Sequence, residues 1–358
     1  MRKKLFIPGP TEVIDESLQA MGTPMIGHRM KEYSALQGRV APKLKKLLHT
    51  SGPVFLGACS STGWMEGAVR NCVQKRCVNF VNGAFSDRWH EITKSNGFEA
   101  DAVRAEWGEP ITPEMVETAL ATGKYDTVTL IHNETSTGVM SPLAEIAKVF
   151  KKYPDVCVCV DAVSSMAGVD IDFEGLGLDV LLAGVQKAFG LPAGLAVCAV
   201  SPKAMERSRK ATCKGYYFDF VEYEKYDKKD QTPATPSVSH IFALDQKLDR
   251  FFAEGLEARF KRHQDMADYT RAWAKNAGFE MYPREGYASV TQSTIRNTKS
   301  MDIGKLNEFL ATKGCVIANG YGDLKGKTFR IAHMADCTLD EIKQLLAWID
   351  EFRAANGC

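Results

Sequence analysis

From Gly52 to about Val200 short apolar, often β-branched runs alternate with longer amphipathic stretches, a pattern that predicts strand-helix-strand units and a largely parallel sheet. The clearest strands are 78–81, 127–131, 156–160 and 180–183, each leading into a polar or glycine-bearing turn. Open parallel sheets gather ligands beyond the carboxyl ends of their strands, so the residues just after these runs are the ones to inspect. Lys203 to Lys210 reads as a helix. The polar, aromatic stretch from Lys214 to Thr235 reads as a surface excursion or interface arm, closed by the stiff turn Thr232-Pro233-Ala234-Thr235-Pro236. Between Ile241 and about Ala277, Leu244, Leu248, Phe251, Phe252, Phe260 and Met266 keep helical spacing, which predicts one long connector between two lobes. The remainder, from about 280, alternates short strands with helices and ends in an amphipathic helix around Leu345 to Phe352, a smaller α+β lobe.

Composition narrows the functional classes. The 358 residues are 45% hydrophobic and 25% charged, as in a globular protein and unlike a disordered or collagenous chain. Lys and Arg total 45 against 44 Asp and Glu, so no basic field exists to hold duplex nucleic acid or an anionic membrane. The ten Cys contain no CxxC pair, and the seven His show no HExxH spacing. Reduced, mostly buried thiols and no metal site are expected. No run approaches the roughly 18 apolar residues that span a bilayer, and the Leu5-Phe6-Ile7 stretch is short for a signal peptide, which points to the cytoplasm. GxxxxGK[ST] and GxGxxG are both missing, so the usual nucleotide-binding signatures are absent.

Several strand-end residues suggest chemistry. Lys187 follows the run Val180 to Gly184 among apolar and glycine neighbours, where desolvation would lower its pKa and free the amine as a nucleophile. A lysine that snorkels to solvent is the alternative. Asp161 ends the run from Val156 and is placed to face a pyridine nitrogen or, as commonly, to cap the next helix. Ser60-Ser61-Thr62 enters a helix, and backbone N–H groups with adjoining hydroxyls there form a phosphate cradle. Phe85, after Val81-Asn82-Gly83, is positioned either to stack on a flat cofactor or to fill the core. His132-Asn133-Glu134-Thr135 supplies amide and hydroxyl groups at the same edge. Together these converge on pyridoxal phosphate.

In order along the chain, Pro8-Gly9-Pro10, Ser61-Thr62 with Glu66, Asn82-Gly83-x-Phe85, Asn133-Glu134-Thr135-x-x-Gly138, Asp161-Ala-Val-Ser-Ser and Gln186-Lys187 resemble the class V aminotransferases, most closely the alanine–glyoxylate and serine–pyruvate type. The resemblance runs from Pro8 to Arg330. It implies an α/β protein of the fold type I pyridoxal-phosphate transferases: a segment 1–20 lining the active site, a large cofactor domain 21–250 with a mostly parallel seven-stranded sheet, and a small C-terminal α+β domain 251–358. It also implies ping-pong transfer of an amino group from alanine or serine to glyoxylate or pyruvate. Lys187 would bind the cofactor aldehyde and shuttle the proton, Asp161 would pair with the ring nitrogen, Phe85 would stack and Thr135 would bond the ring oxygen. Ser61, Thr62 and Gln186 would serve the phosphate. Thr232, or else Thr235, would reach the cofactor of the other subunit in a homodimer. Arg330 would grip the substrate carboxylate, with Gly9 and His28 lining the site. Phosphoserine transamination is the nearest rival. Cysteine desulfuration is less favoured because that subgroup has His where this chain has Phe85 and Gln186, and a non-catalytic cofactor-binding protein ranks last.

Overall fold

The computed structural model describes residues 3–357. Fourteen strands follow one another as β1 (Lys4–Phe6), β2 (Val54–Gly57), β3 (Arg76–Val81), β4 (Glu99–Arg104), β5 (Thr127–Ile131), β6 (Asn133–Glu134) and β7 (Val139–Met140), then β8 (Cys157–Asp161), β9 (Val180–Gly184), β10 (Ala196–Val200), β11 (Glu280–Met281), β12 (Gln292–Arg296), β13 (Cys315–Asn319) and β14 (Thr328–Ala332). Seven form the large sheet in the order β2-β10-β9-β8-β5-β3-β4. Only β10 runs against its neighbours in that sheet.

Helices cover both faces, so the inner strands are buried on both sides and alternate between two cores. Val158 and Val160 of β8, with Leu181 and Ala183 of β9, join a core that includes the helix Lys31–Leu47 and the helix Val238–Glu254. Cys157, Cys159, Val180 and Leu182 face the other way, onto the helix Ser61–Cys72 and Trp89. The four predicted strands are β3, β5, β8 and β9. The edge strands β2 and β4 and the antiparallel β10 escaped the pattern.

A third core fills the C-terminal lobe between the sheet β1-β13-β14-β12-β11 and the helices Ile303–Thr312 and Leu339–Asn356. Its outer strand β1 comes from the N-terminus and pairs in parallel with β13. The expected single connector is instead two helices, Val238–Glu254 and Leu256–Asn276, because Gly255 adopts φ +85°, which ends the first helix and redirects the second. The sequence-based division at 250/251 falls inside the first of these. The supposed surface excursion also contains a helix, Phe220–Asp227, anchored by buried Phe220 and Tyr223. Among the described residues no helix is long and apolar enough to cross a membrane.

Candidate active site

Beyond the carboxyl ends of the large sheet lies a cavity of about 360 Å³. Ser61, Thr62, Phe85, Thr135, Asp161, Gln186 and Lys187, all singled out from the sequence, line it together. Each arrives on a different strand end: β2 leads to Ser61, β3 to Phe85, β5 to Thr135, and β9 to Gln186 and Lys187, while Asp161 is the last residue of β8.

Asp161 is buried, and its Oδ1 accepts one hydrogen bond, from the Val163 N–H at 2.7 Å. Burial pushes its pKa up to about 7; the Val163 N–H and the nearby Lys187 oppose the shift, while the Glu134 charge adds to it. Lys187 is pushed the other way, down to about 8, first by desolvation and then by the Arg330 cation. Its Nζ lies 5.9 Å from the Phe85 ring centroid. A carboxyl kept reluctant to ionise and an amine kept reluctant to protonate thus share one cavity, a combination that marks chemistry more often than structure.

The end of the cavity beside Ser61 and Gln186 is built by close approach. A Cβ on Gly184 would stand 2.3 Å from Gln186 Oε1 and 2.4 Å from Ser61 Oγ, so only glycine lets those side chains fold over the end of β9. Ser61 Oγ is buried without a hydrogen-bond partner. It begins the helix Ser61–Cys72, whose N-cap Ser60 makes no side-chain capping bond, which leaves the helix terminus open to an anion.

Gly9 covers the lysine. At φ +126° its Cα faces the Lys187 stem so tightly that a Cβ would stand 2.6 Å from Cδ. Thr11 ties the same segment down, with its N–H on Gln186 O at 3.0 Å and its hydroxyl on Lys187 O at 3.1 Å. Arg330, on β14, donates to Thr135 O and Asn319 O at 3.0 Å each, which fixes its guanidinium plane beside the cavity. His28, Thr232 and Thr235 are not among this chain's cavity-lining residues. Thr232 is buried, with its hydroxyl donated to Ala234 O at 2.7 Å; Thr235 is exposed.

Sequence reasoning passed over three contributors. Arg88 lines the cavity with its guanidinium 5.0 Å from the Phe85 ring centroid; its i,i+3 spacing from Phe85 on one helix was the available signal. Tyr321, from the small lobe, packs on Phe85 with ring centroids 5.3 Å apart and had no local signature. Glu134 is fully buried. Its Oε2 accepts from the Phe85 and Ser86 N–H groups at 3.1 and 2.9 Å, and its Oε1 from the Ser136 hydroxyl at 2.7 Å. That carboxylate caps the helix carrying Phe85 and sets where the ring stands. Outside the cavity the thiols of Cys72, Cys157 and Cys159 lie within 4.8 Å of one another in the core.

These features match pyridoxal phosphate group by group. An unpartnered hydroxyl at an open helix terminus suits its phosphate, an under-bonded carboxylate suits its ring nitrogen, an aromatic face suits its ring, and a lowered amine pKa suits its aldehyde. Fold and site together define a transaminase of the fold type I class. The model of the aminotransferase class-V family matches residues 79–332, and the chain belongs to that family. It is similar to an uncharacterised aminotransferase of Methanocaldococcus jannaschii (40% identity, over 98% of this chain and 92% of the relative). It is also similar to serine–glyoxylate aminotransferase of Arabidopsis thaliana (29% identity, 98% and 90%). Among solved structures, alanine–glyoxylate aminotransferase from Nostoc sp. superposes with a TM-score of 0.92 at 25% identity, covering 98% of this chain and 95% of that one. The resemblance seen in the sequence and the expected fold type are both borne out.

Proposed function

We propose that the protein moves the amino group of alanine or serine onto glyoxylate or pyruvate in two half-reactions, with pyridoxal phosphate as carrier. The observation that carries this reading is the convergence of Lys187, Asp161 and Ser61 on one cavity; the serine–glyoxylate and alanine–glyoxylate relatives support the choice of substrates. When bound, the cofactor supplies an aldehyde to receive the amine and an electron-withdrawing ring to drain charge from the α-carbon.

The chain's own groups do the rest. Ser61, Thr62 and Gln186 would hold the phosphate, Phe85 would pack on the ring and Thr135 would bond its oxygen. The Asp161 carboxyl would pair with the cofactor's ring nitrogen, and a positive charge there would draw its pKa back down. Arg330 receives the α-carboxylate through a planar fork already aligned by its two carbonyl bonds. Lys187 Nζ, whose lowered pKa leaves much of it neutral above about pH 8, would take the proton from the substrate α-carbon and return it at the far end of the transfer. Gly9 and the Thr11 bonds keep that amine from swinging out. Among the described residues that line the cavity none is a histidine that could assist sulfur removal, in keeping with transamination over desulfuration.

The active unit in this reading is a homodimer in which the exposed Thr235, in preference to the self-bonded Thr232, serves the partner's phosphate. Exposed Met25 and Met30, beside His28, suit such an interface. The nine described cysteines are all free, which suits the cytoplasm. The test is a panel of single half-reactions on purified holoenzyme. Alanine and serine should bleach the visible cofactor band, and glyoxylate or pyruvate should restore it. A band that responds to phosphoserine alone, or sulfide release from cysteine, would overturn the assignment.

A further inference from the structure

The break at Gly255 opens a second pocket of about 390 Å³, lined by Arg250, Glu254, Arg259, Arg262, Asp336 and Thr338. Beside it Lys247, fully buried, reaches Asp336 Oδ2 at 2.6 Å. Glu254 is shared by Arg259 at 3.2 Å and Arg262 at 2.6 Å, while Arg250 only approaches Asp336, at 3.9 Å. Among the described residues of this cluster, four cations therefore face two carboxylates. Two of the cations, Lys247 and Arg259, are almost wholly withdrawn from water, where charge is costly unless paired, and they engage Asp336 and Glu254; that leaves Arg250 without a close carboxylate and Arg262 sharing Glu254. Arg259's remaining bonds go to the neutral carbonyls of Ala167 and Ala188, each at 2.8 Å. Burial, and then the Arg262 cation, draw the Arg259 pKa down to about 10, against the opposing charges of Asp336 and Glu254. Thr338, which also lines the pocket, caps the helix Leu339–Asn356 in a complete capping box with Glu341, so that helix start is already satisfied and the pocket's positive character comes from its arginines.

We propose that this pocket binds a small polyvalent anion, a phosphate or a dicarboxylate, at a site separate from the catalytic cavity. Its walls reach the turn that carries the active lysine. Arg259 holds the carbonyl of Ala188, and Asp336 stands so close to Gly190 that a Cβ there would lie 2.9 Å from its Oδ2. An anion that draws in Arg259 competes with Asp336 and Glu254 for the same donors, and the Lys187 turn is held by those donors.

The experiment uses holoenzyme, so that the cofactor occupies its own phosphate cradle. Thermal unfolding is followed against inorganic phosphate, and separately against succinate, with chloride replacing either at constant ionic strength. A saturable rise in Tm beyond chloride is expected. Arg250→Glu, which removes the charge surplus at a half-exposed position, should weaken the midpoint at least tenfold, and Arg250→Lys should keep it. Arg284→Glu, which alters an exposed arginine paired with Glu109 elsewhere, should behave as wild type. Response to phosphate alone assigns a phosphate site and response to both a general dianion site. No response beyond chloride, or equal midpoints in wild type and Arg250→Glu, would overturn the proposal.

Discussion

Two buried aspartates sit at opposite ends of the same sheet, each 3% exposed, and they are treated differently. Asp179, at the amino-terminal end of β9, accepts from the Val158 N–H at 2.8 Å and the Ser201 hydroxyl at 2.6 Å, and Lys203 Nζ lies 2.9 Å away. Asp161, at the carboxyl end of β8, has one N–H. The first is saturated and stitches β8 and β9 to the start of the helix Pro202–Lys210, which follows β10. The second is left wanting a partner, the place that the proposed function gives to the cofactor's ring nitrogen. Buried carboxylates in one protein thus divide by how many donors the fold grants them.

The comparison can be broken at its functional end most severely with Lys187→Ala. Loss of the visible cofactor band and a fall in turnover of at least about 10³-fold are expected, read by half-reaction spectra. Asp161→Asn keeps the shape and the Val163 bond but not the charge. We expect turnover to drop about 10²-fold with no loss of Tm. Asp179→Ala should do the reverse, costing about 2 kcal/mol of stability by denaturant melt while holoenzyme kinetics stay near wild type, since it strands a buried N–H and a hydroxyl. If Asp161→Asn destabilised as much as Asp179→Ala, the distinction drawn between the two would be void.

Acidity sharpens the contrast further. Because folding raises Asp161 from 3.8 to about 7, the folded apo-protein holds a proton that the unfolded chain releases, so stability falls as pH climbs between those values. Asp161→Asn should flatten that slope. Lys187 is shifted downward to about 8, so the rate at which apo-protein takes up added pyridoxal phosphate should rise to a plateau above pH 8 and lie about tenfold below it at pH 7. The smallest effect belongs to Phe85→Ala, which should loosen cofactor retention by about three- to tenfold, the worth of one aromatic contact. Equilibrium dialysis would measure it.

Much of this was legible in the chain. The four central strands are buried on both faces and therefore mostly apolar, with Asn79 and Thr129 bonded to each other inside them, and their ends carry the polar residues that converge on the cavity. β4 was invisible because an edge strand such as Glu99–Arg104 is mostly solvated and its pattern is mixed. The helix break at Gly255 was masked by apolar spacing that continues across it. Tyr321 and Arg330 approach the cavity only through the packing of one lobe on the other, which local sequence does not encode. Arg330 was found by resemblance, and Tyr321 was not found at all. Glu134 lay in a quoted motif, yet its task, holding a helix terminus forty-nine positions away in sequence, needed coordinates.

The first strand belongs to the small lobe's sheet through β13, yet a few residues later Gly9 and Thr11 rest on the lysine of the large one. This short run of backbone works as a latch between the two bodies. Any swing of the small lobe must drag it across the reactive amine, so access for substrate and the pose of Lys187 are geared to one movement.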